Sequence, residues 1–180
     1  MKPMFTVHEG EFLVGDYINQ ELGKKYEVWV PTKDTGVDLL VTRKRGRQKQ
    51  KPVRLQVKLS RGYHPDTLPP EQLAAFGWHA LRPSSIRKST ADLWVFAILT
   101  LRHKEHYVLI PTEELKSRMP ARPGGMWNLY LAVLHSGKCY DMRGLKKVEQ
   151  QMAVLGGIKD KKRDYSKYLE NWKLLDKLSK

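Results

Sequence analysis

An acidic residue before one apolar run and a Gln-x-Lys triplet within the next run could together do chemistry in this sequence. Asp38 comes directly before the apolar run 39–41, and Gln56 and Lys58 alternate with apolar residues over 53–59. Carboxylate and amide oxygens are ligands that Mg²⁺ accepts, and a lysine can move a proton or stabilise charge on a phosphate. These three residue types therefore indicate metal-assisted hydrolysis of phosphate esters.

The spacing of these residues predicts that they meet. Asp38 and Gln56 are equidistant from position 47, which lies inside the turn-like segment 45–48. If the two runs form an antiparallel hairpin, Asp38 and Gln56 are cross-strand neighbours. Side chains alternate along a strand, so Lys58 lies on the same face as Gln56.

Charge is the second informative property of the chain. Its 33 Lys and Arg residues exceed its 19 acids, which leaves a net charge of +14 and makes nucleic acid the favoured partner. Seven of the 12 residues over 43–54 are basic and none is acidic, which predicts a phosphate-gripping loop beside the site. A solvated hairpin tip is the alternative. The candidate nucleic-acid contacts are Arg43, Lys44, Arg45, Arg47, Lys49, Lys51, Arg54 and Arg61.

Length and composition limit the class of protein. A chain of 180 residues with 41% apolar content predicts one domain, 1–180, with its own core. There is no apolar run of about 18 residues, so no membrane partner is expected. The first residues lack a secretory apolar segment, which favours the cytoplasm. Cys139 is the single cysteine, which excludes an internal disulfide and a cysteine-based zinc site.

Periodicity predicts the order of the elements. A helix is expected over 9–22, a second over 71–81, and a third from 112. Another amphipathic helix is expected near the end, where Tyr165, Tyr168, Leu169, Trp172 and Leu175 recur at helical spacing. The predicted strands are 26–30, 37–42, 53–59, 91–101, 106–110, 127–133 and 138–142. The pattern predicts an α/β fold in which helices flank a mixed central sheet.

The first predicted helix carries a candidate acid. Glu11 shares a helical stripe with Val14 and Ile18, which places a carboxylate on the face expected to turn inward. Glu9 and Asp16 are rivals in the same helix, and Glu9 has the simpler explanation that an acid near a helix N-terminus is favourable. Glu11 is the favoured candidate.

Together these residues resemble the PD-(D/E)XK nuclease superfamily, which is also called restriction-endonuclease-like. The resemblance rests on Glu11, on the triplet 36–38 (Gly-Val-Asp) and on the triplet 56–58 (Gln-Val-Lys). It implies an αβββαβ core, whose order residues 9–101 reproduce. The core is expected over about 9–110, with additions and a C-terminal helical extension over 111–180. The closest likeness is to members with a Gln-x-Lys half-motif, such as Holliday-junction-resolvase-like and transposon end-cutting nucleases.

Two positions depart from the family pattern. Val37 replaces the usual proline, and Gln56 stands where glutamate or aspartate is usual, which removes one negative charge from a metal site. By resemblance, the side chains of Asp38 and Gln56 and the backbone carbonyl of Val57 would bind Mg²⁺, with Mn²⁺ as a substitute. Lys58 would act on the attacking water and Glu11 would tune it. The resemblance implies a DNA endonuclease, and by analogy a homodimer.

Two other functions remain open from the sequence. Because Gln56 is neutral, the fold could hold nucleic acid without cutting it. The charge alone would also suit an RNA-binding or ribosome-associated protein, although no aromatic recognition strand is predicted. For the individual residues, Asp38 could be satisfied by turn amides, and Lys58 could belong to a solvated strand face.

Overall fold

The structure is a computed structural model that describes residues 8–33, 36–44, 51–119 and 125–180. Within these ranges, no helix is long and apolar enough to cross a bilayer. The helices are α1 (Glu9–Glu21), α2 (Pro83–Lys88), α3 (Thr112–Arg118), α4 (Lys147–Gly156) and α5 (Leu174–Leu178). The strands are β1 (Tyr26–Trp29), β2 (Leu39–Arg43), β3 (Val53–Arg61), β4 (Leu73–Leu81), β5 (Leu93–Leu99), β6 (Glu105–Pro111), β7 (Trp127–Leu134) and β8 (Cys139–Asp141).

The larger sheet has five strands in the order β1-β2-β3-β5-β6. β3 and β5 run parallel, whereas the other neighbouring pairs are antiparallel. The predicted mixed sheet and the α/β class are therefore confirmed. β5 is an interior strand of this sheet, between β3 and β6. Six of its seven residues are buried, as its continuous apolar sequence predicted.

The register of the β2–β3 hairpin is the one that the spacing predicted. Leu39 pairs with Leu55 and Val41 with Val53, so Asp38 stands opposite Gln56. The apolar residues of β3 alternate with polar ones, as its burial pattern confirms. β3 continues to Arg61, well beyond the start of β2. Among the residues that the structure describes, no strand pairs with this part of the β2-side edge of β3.

Helix α1 covers one face of the larger sheet. A Cβ atom on Gly10 would lie 2.8 Å from the Leu59 Cβ, so only glycine allows the helix to approach β3 this closely. Val14 and Ile18 are fully buried on the same side of the helix. This packing fixes the N-terminus of α1 beside the unpartnered edge of β3.

A second sheet, in the order β4-β7-β8, covers part of the opposite face. A Cβ atom on Gly77 would lie 2.7 Å from Ile98 Cγ1, and the His79 and Phe96 rings lie 5.0 Å apart. The helix predicted over 71–81 is therefore wrong. Only a 3₁₀ turn over Pro70–Gln72 precedes the strand, and alternate residues of β4 point inward because it pairs with β7.

The C-terminal segment also differs from its prediction. In place of one amphipathic helix it forms 3₁₀ turns over Lys161–Arg163 and Ser166–Tyr168, followed by the short helix α5. Arg118 Nη1 donates 2.8 Å hydrogen bonds to the carbonyl oxygens of Lys162 and Asp164, which holds this segment against α3. The segment's apolar residues still pack in the main core, as their spacing predicted. The sequence patterns missed α2 and α4.

Candidate active site

A cleft of about 730 Å³ opens beside the edge of β3 that lacks a partner strand. One side carries residues from α1, β3 and the start of β2, and the other carries the end of β4 and α2. The triplets 36–38 and 56–58, on which the family resemblance rests, both contribute residues to it. The lining includes His8, Gly10, Glu11, Gly36, Asp38, Gln56, Val57, Lys58, Ala80, Leu81, Arg82, Ser85, Lys88, Trp94 and Met126.

The Asp38 carboxylate is held by two donors from β3. Its Oδ2 atom accepts a hydrogen bond of 2.5 Å from Gln56 Nε2 and another of 2.6 Å from the Val57 backbone N–H. The Asp38 backbone N–H in turn donates to the Leu55 carbonyl at 2.8 Å. Gly36, with φ +76°, makes the turn that brings the chain into β2. Asp38 is therefore fixed by the hairpin register, as expected.

Lys58 follows Gln56 on the same face of β3 and also lines the cleft. Its ammonium nitrogen lies 6.0 Å from the centre of the Trp94 ring. The pKa of buried His79 is lowered to about 3. Burial is the main cause, and the charge of Lys58 makes a smaller contribution. Lys58 thus has a partly enclosed position in contact with an aromatic ring, which does not resemble a fully solvated strand face.

The structure separates Glu11 from its two rivals. Glu11 lines the cleft, whereas exposed Glu9 pairs with Arg61 at 3.1 Å and Asp16 accepts a hydrogen bond from a neighbour on its own helix. Burial is the main cause that raises the pKa of the Glu11 carboxyl, and the Asp38 charge raises it further. The charge of Lys58 acts in the opposite direction. Glu11 also caps α1, because its Oε2 atom accepts a 3.1 Å hydrogen bond from the His8 backbone N–H.

The cleft offers oxygen donors of the kind that hard cations bind. In the described residues there is no group of three or more His, Cys, Asp and Glu side chains arranged for a metal. The donors here are two carboxylates, the Gln56 amide and the Val57 carbonyl, which fit Mg²⁺ in type. The raised pKa of Glu11 means that negative charge is costly in this cleft, and a cation would offset that cost. The Gln56 amide turns its nitrogen toward Asp38, so it would have to rotate to present its oxygen there.

The described ends of the predicted phosphate-gripping loop do not lie beside the site. Arg43 ends β2 five residues after Asp38, which corresponds to about 17 Å along a strand. It and Lys44 are exposed at the opposite end of the hairpin, where Lys51 also lies. These described ends are distant from the cleft because the cleft occupies the open end of the hairpin. Three predicted contacts fall outside the described residues: Arg45, Arg47 and Lys49.

Three of the predicted contacts have acidic partners in the structure. Arg54 makes two hydrogen bonds to the Asp92 carboxylate, at 3.0 Å from Nε and 2.9 Å from Nη2. Lys51 lies 3.6 Å from the same carboxylate. Arg61 is engaged by Glu9 at the N-terminus of α1. Arg54 is thus explained by the link between β3 and the start of β5.

The candidate contacts from the sequence did not include two exposed cations that line the cleft, Arg82 and Lys88. They lie at the start and end of α2, a helix of six residues that the sequence patterns did not predict. Pro83 at the first position of α2 was the available signal, because proline is favoured there. The exposed position of Trp78 on β4 was not predicted for a similar reason, since β4 was assigned to a helix.

No family model matches this sequence, and no match was found among curated proteins or solved structures. The chain is therefore defined by its own architecture, a mixed α/β fold with two sheets and a polar cleft at the edge of one of them.

Proposed function

We propose that this chain is a metal-dependent DNA endonuclease of the PD-(D/E)XK type. One observation carries the proposal. Asp38 and Gln56 are hydrogen-bonded to each other at the mouth of a hairpin, and Lys58 and Glu11 line the same cleft. A shared cleft for two carboxylates, an amide and a lysine supports hydrolytic chemistry more than a purely structural role.

The order of elements supports a restriction-endonuclease-like core. Helix α1 is followed by the antiparallel strands β1, β2 and β3, then by helix α2 and by β5 parallel to β3. This is the αβββαβ order with one difference, since β4 is inserted before α2 and belongs to the second sheet. The insertion leaves the hairpin and its motif residues in the arrangement that the family resemblance implies.

Hydrolysis of a phosphodiester adds the oxygen of water to phosphorus and breaks one ester P–O bond. The attacking water loses a proton and the departing oxygen gains one, so the products end in a phosphate and a hydroxyl. Mg²⁺, held by Asp38, Gln56 and Val57, would supply Lewis-acid stabilisation of the negative charge. The Asp38 carboxylate is positioned for this before any ion binds, because two β3 donors fix its orientation.

Lys58 and Glu11 are the chain's own acid–base groups in the cleft. Lys58 carries positive charge at the edge of β3, where it would stabilise charge on the phosphate or exchange a proton with the water. Glu11 approaches from α1, and its raised pKa makes it a better proton acceptor than an ordinary carboxylate. Glu11 would orient the water and take its proton.

DNA would enter along the cleft between β3 and α2. Arg82 and Lys88 are exposed on its α2 side and provide positive charge for phosphates. The net charge of +14 would draw any polyanion toward the chain. We propose no contact from the described ends of the basic loop to the bond that is cut, because they lie at the other end of the hairpin.

One observation favours a second candidate, in which the fold binds DNA without cutting it. Gln56 donates its amide nitrogen to Asp38, so this pair satisfies itself without an ion. A site that is complete without a cation has less need of one. The two candidates differ in whether a divalent ion changes the protein's behaviour.

Incubation of supercoiled plasmid with the purified protein tests the proposal. Nicking or linearisation is expected in Mg²⁺ or Mn²⁺, absent in EDTA, and reduced at least ~10²-fold in Lys58→Ala. Lys24→Ala is the matched control, because Lys24 is an exposed lysine outside the cleft. If the wild type binds but does not cut plasmid or branched DNA in either metal, the binding candidate replaces the nuclease.

A further inference from the structure

The outer face of the second sheet carries a row of aromatic rings. Tyr63 and Phe76 lie 5.1 Å apart, Phe76 and Tyr130 lie 6.3 Å apart, and Tyr130 and Trp78 lie 6.3 Å apart. Trp78 is 51% exposed and Tyr63 is 43% exposed. Rings of this size are usually covered, as Phe76 is, so the two exposed rings at the ends of the row, Tyr63 and Trp78, indicate a binding surface.

The Trp78 ring is held in place at this surface. Its Nε1 atom donates a 3.2 Å hydrogen bond to the Asn128 side chain, and its plane lies within 11° of the Tyr130 ring. The polar edge of the indole is therefore satisfied by the protein, while one half of the side chain stays open to solvent. A fixed, open ring presents a flat apolar surface that needs little ordering when a partner stacks on it.

The row is continuous with the proposed catalytic cleft. Ala80 lines the cleft and follows Trp78 by two residues on the same face of β4, a distance of about 6.6 Å along a strand. At the other end of the row, Arg143 lines a small pocket of about 240 Å³ together with Tyr63, Phe76 and Tyr130. The Arg143 guanidinium is engaged by the buried Asp141 at 3.8 Å and lies 5.7 Å from the centre of the Trp127 ring.

We propose that this aromatic face stacks the unpaired bases of single-stranded DNA that leaves the cleft. Every base has a flat face, so stacking on tryptophan and tyrosine suits a single strand of any sequence. Arg82, an exposed cation in the cleft at one end of the row, complements the phosphates of such a strand. Paired bases in a duplex are already stacked on each other and have no free face to offer.

The substrate class follows from this geometry. The inference rests on the proposed function, and it makes branched, flapped or frayed DNA the preferred substrate over a continuous duplex. A base on Trp78 would lie about two nucleotides from Ala80 at 3.4 Å per nucleotide. The cut would then fall near a junction between paired and unpaired DNA.

Binding to short DNA in EDTA, in the Lys58→Ala background, tests the inference apart from cleavage. Trp78→Ala should weaken binding of a single strand roughly 5- to 100-fold and leave the duplex of the same sequence within about 2-fold. Trp78→Phe keeps a ring, so it should retain part of the affinity and lose the fluorescence quenching that a stacked base causes.

Trp29→Ala is the matched control. Trp29 is 56% exposed, and its Nε1 atom donates to the Thr42 side chain, but it lies on β1, outside the aromatic row. Equal small losses for both alanine variants, or equal losses for single strand and duplex, would overturn the inference. Tighter Trp78-dependent binding of the same RNA strand would overturn the assignment to DNA.

The two proposals fail separately. Single-strand binding that needs Trp78, in a protein that cuts nothing, would remove the nuclease and keep the stacking face. Metal-dependent plasmid cleavage by a protein whose Trp78 variants bind single strands normally would remove the stacking face and keep the nuclease.

Discussion

The Gln56 amide nitrogen lies 2.5 Å from Asp38 Oδ2, and this contact joins the two motif strands at the mouth of their hairpin. The pairing combines one charged and one neutral group, so it is stable without a cation. A glutamate at this position would instead place two carboxylates in contact. At the proposed metal site, the neutral amide would therefore lower the affinity for the ion. It would also make the ion-free protein more stable than a glutamate would.

We expect Gln56→Glu to destabilise the metal-free protein by roughly 1–2 kcal/mol at pH 7, because two carboxylates repel at this distance. Mg²⁺ should reverse the loss, and a tenfold gain in affinity would add about 1.4 kcal/mol of stability at saturation. Thermal unfolding in EDTA and in rising Mg²⁺ measures both effects.

Gln20→Glu is the matched control for that experiment. Gln20 Nε2 donates to Asp16 Oδ2 at 2.7 Å, which is the same chemistry on an exposed helix face. Its loss should be near 0.5 kcal/mol and independent of Mg²⁺. Equal responses of the two variants to the ion would contradict a metal site at Gln56.

We expect Glu11→Gln to stabilise the metal-free protein at pH 7 by about 0.5 kcal/mol, a value discounted for partial exposure. Burial raises the pKa of Glu11, so the folded state holds this proton more tightly than the unfolded state. The contribution of Glu11 to the free energy of unfolding is fully present below pH 4.5, the ordinary pKa, and is lost as pH rises through the raised pKa of the folded state. Glu11→Gln removes that loss.

The same variant should lower cleavage, because it cannot accept a proton. Its helix cap should survive, since glutamine also accepts the His8 N–H bond. Glu9→Gln breaks an exposed pair with Arg61 and should show neither the gain in stability nor the loss in cleavage. A Glu11→Gln protein that cuts normally would remove Glu11 from the mechanism.

The basic residues divide into cleft and structural groups. The double variant Arg82→Ala, Lys88→Ala should weaken DNA binding and reduce the slope of log affinity against log salt by about 2, with little effect on stability. Arg54→Ala should instead leave DNA binding and its salt slope nearly unchanged. Its free energy of unfolding should fall by about 1–2 kcal/mol, because two hydrogen bonds to Asp92 disappear. Salt-dependent binding and thermal unfolding of both proteins make the test, and an unchanged salt slope in the double variant would exclude this path for DNA.

His79 should limit stability in acid. Neither of its ring nitrogens has a hydrogen-bond partner in the part of the chain that the structure describes, and burial lowers its pKa to about 3. Below pH 6.5 His79 therefore binds a proton in the unfolded state but stays neutral in the folded state. The free energy of unfolding falls as pH drops from 6.5 toward 3.

His79→Leu should remove that loss and gain about 2 kcal/mol at pH 5 relative to pH 8. His64→Leu, which replaces an exposed histidine, is the matched control. Denaturant unfolding at the two pH values measures the difference, and a constant difference between wild type and His79→Leu would show that His79 is protonated in the folded protein.

The hairpin could be predicted because its information is local. Alternating residues define the two strands, and the symmetric positions of Asp38 and Gln56 about residue 47 define the register. Helix α1 and the buried strand β5 were also correct, since each has a strong and continuous pattern. The convergence of Asp38, Gln56, Lys58 and Glu11 followed from these three elements.

The errors have a common physical cause, which is pairing between distant segments. The residues over 71–81 include three alanines and two leucines that suit a helix, but β7 supplies the hydrogen bonds that make them a strand. The aromatic spacing over 165–175 suits a helix of 3.6 residues per turn and also 3₁₀ turns of three. Packing on the core decided between them, and no local pattern records it.

The inserted strand β4 gives the cleft an assembly order. β4 contributes Ala80 and Leu81 to the cleft, yet its ladder partner β7 begins only at Trp127, beyond the helix α3. The hairpin with the motif residues can form early, since its contacts are short in sequence. The side of the cleft that faces it must wait for a late segment of the chain. A partly synthesised chain would thus hold the residues of the hairpin without the surface that completes the groove. The proposed binding of nucleic acid would then require that the second sheet has formed.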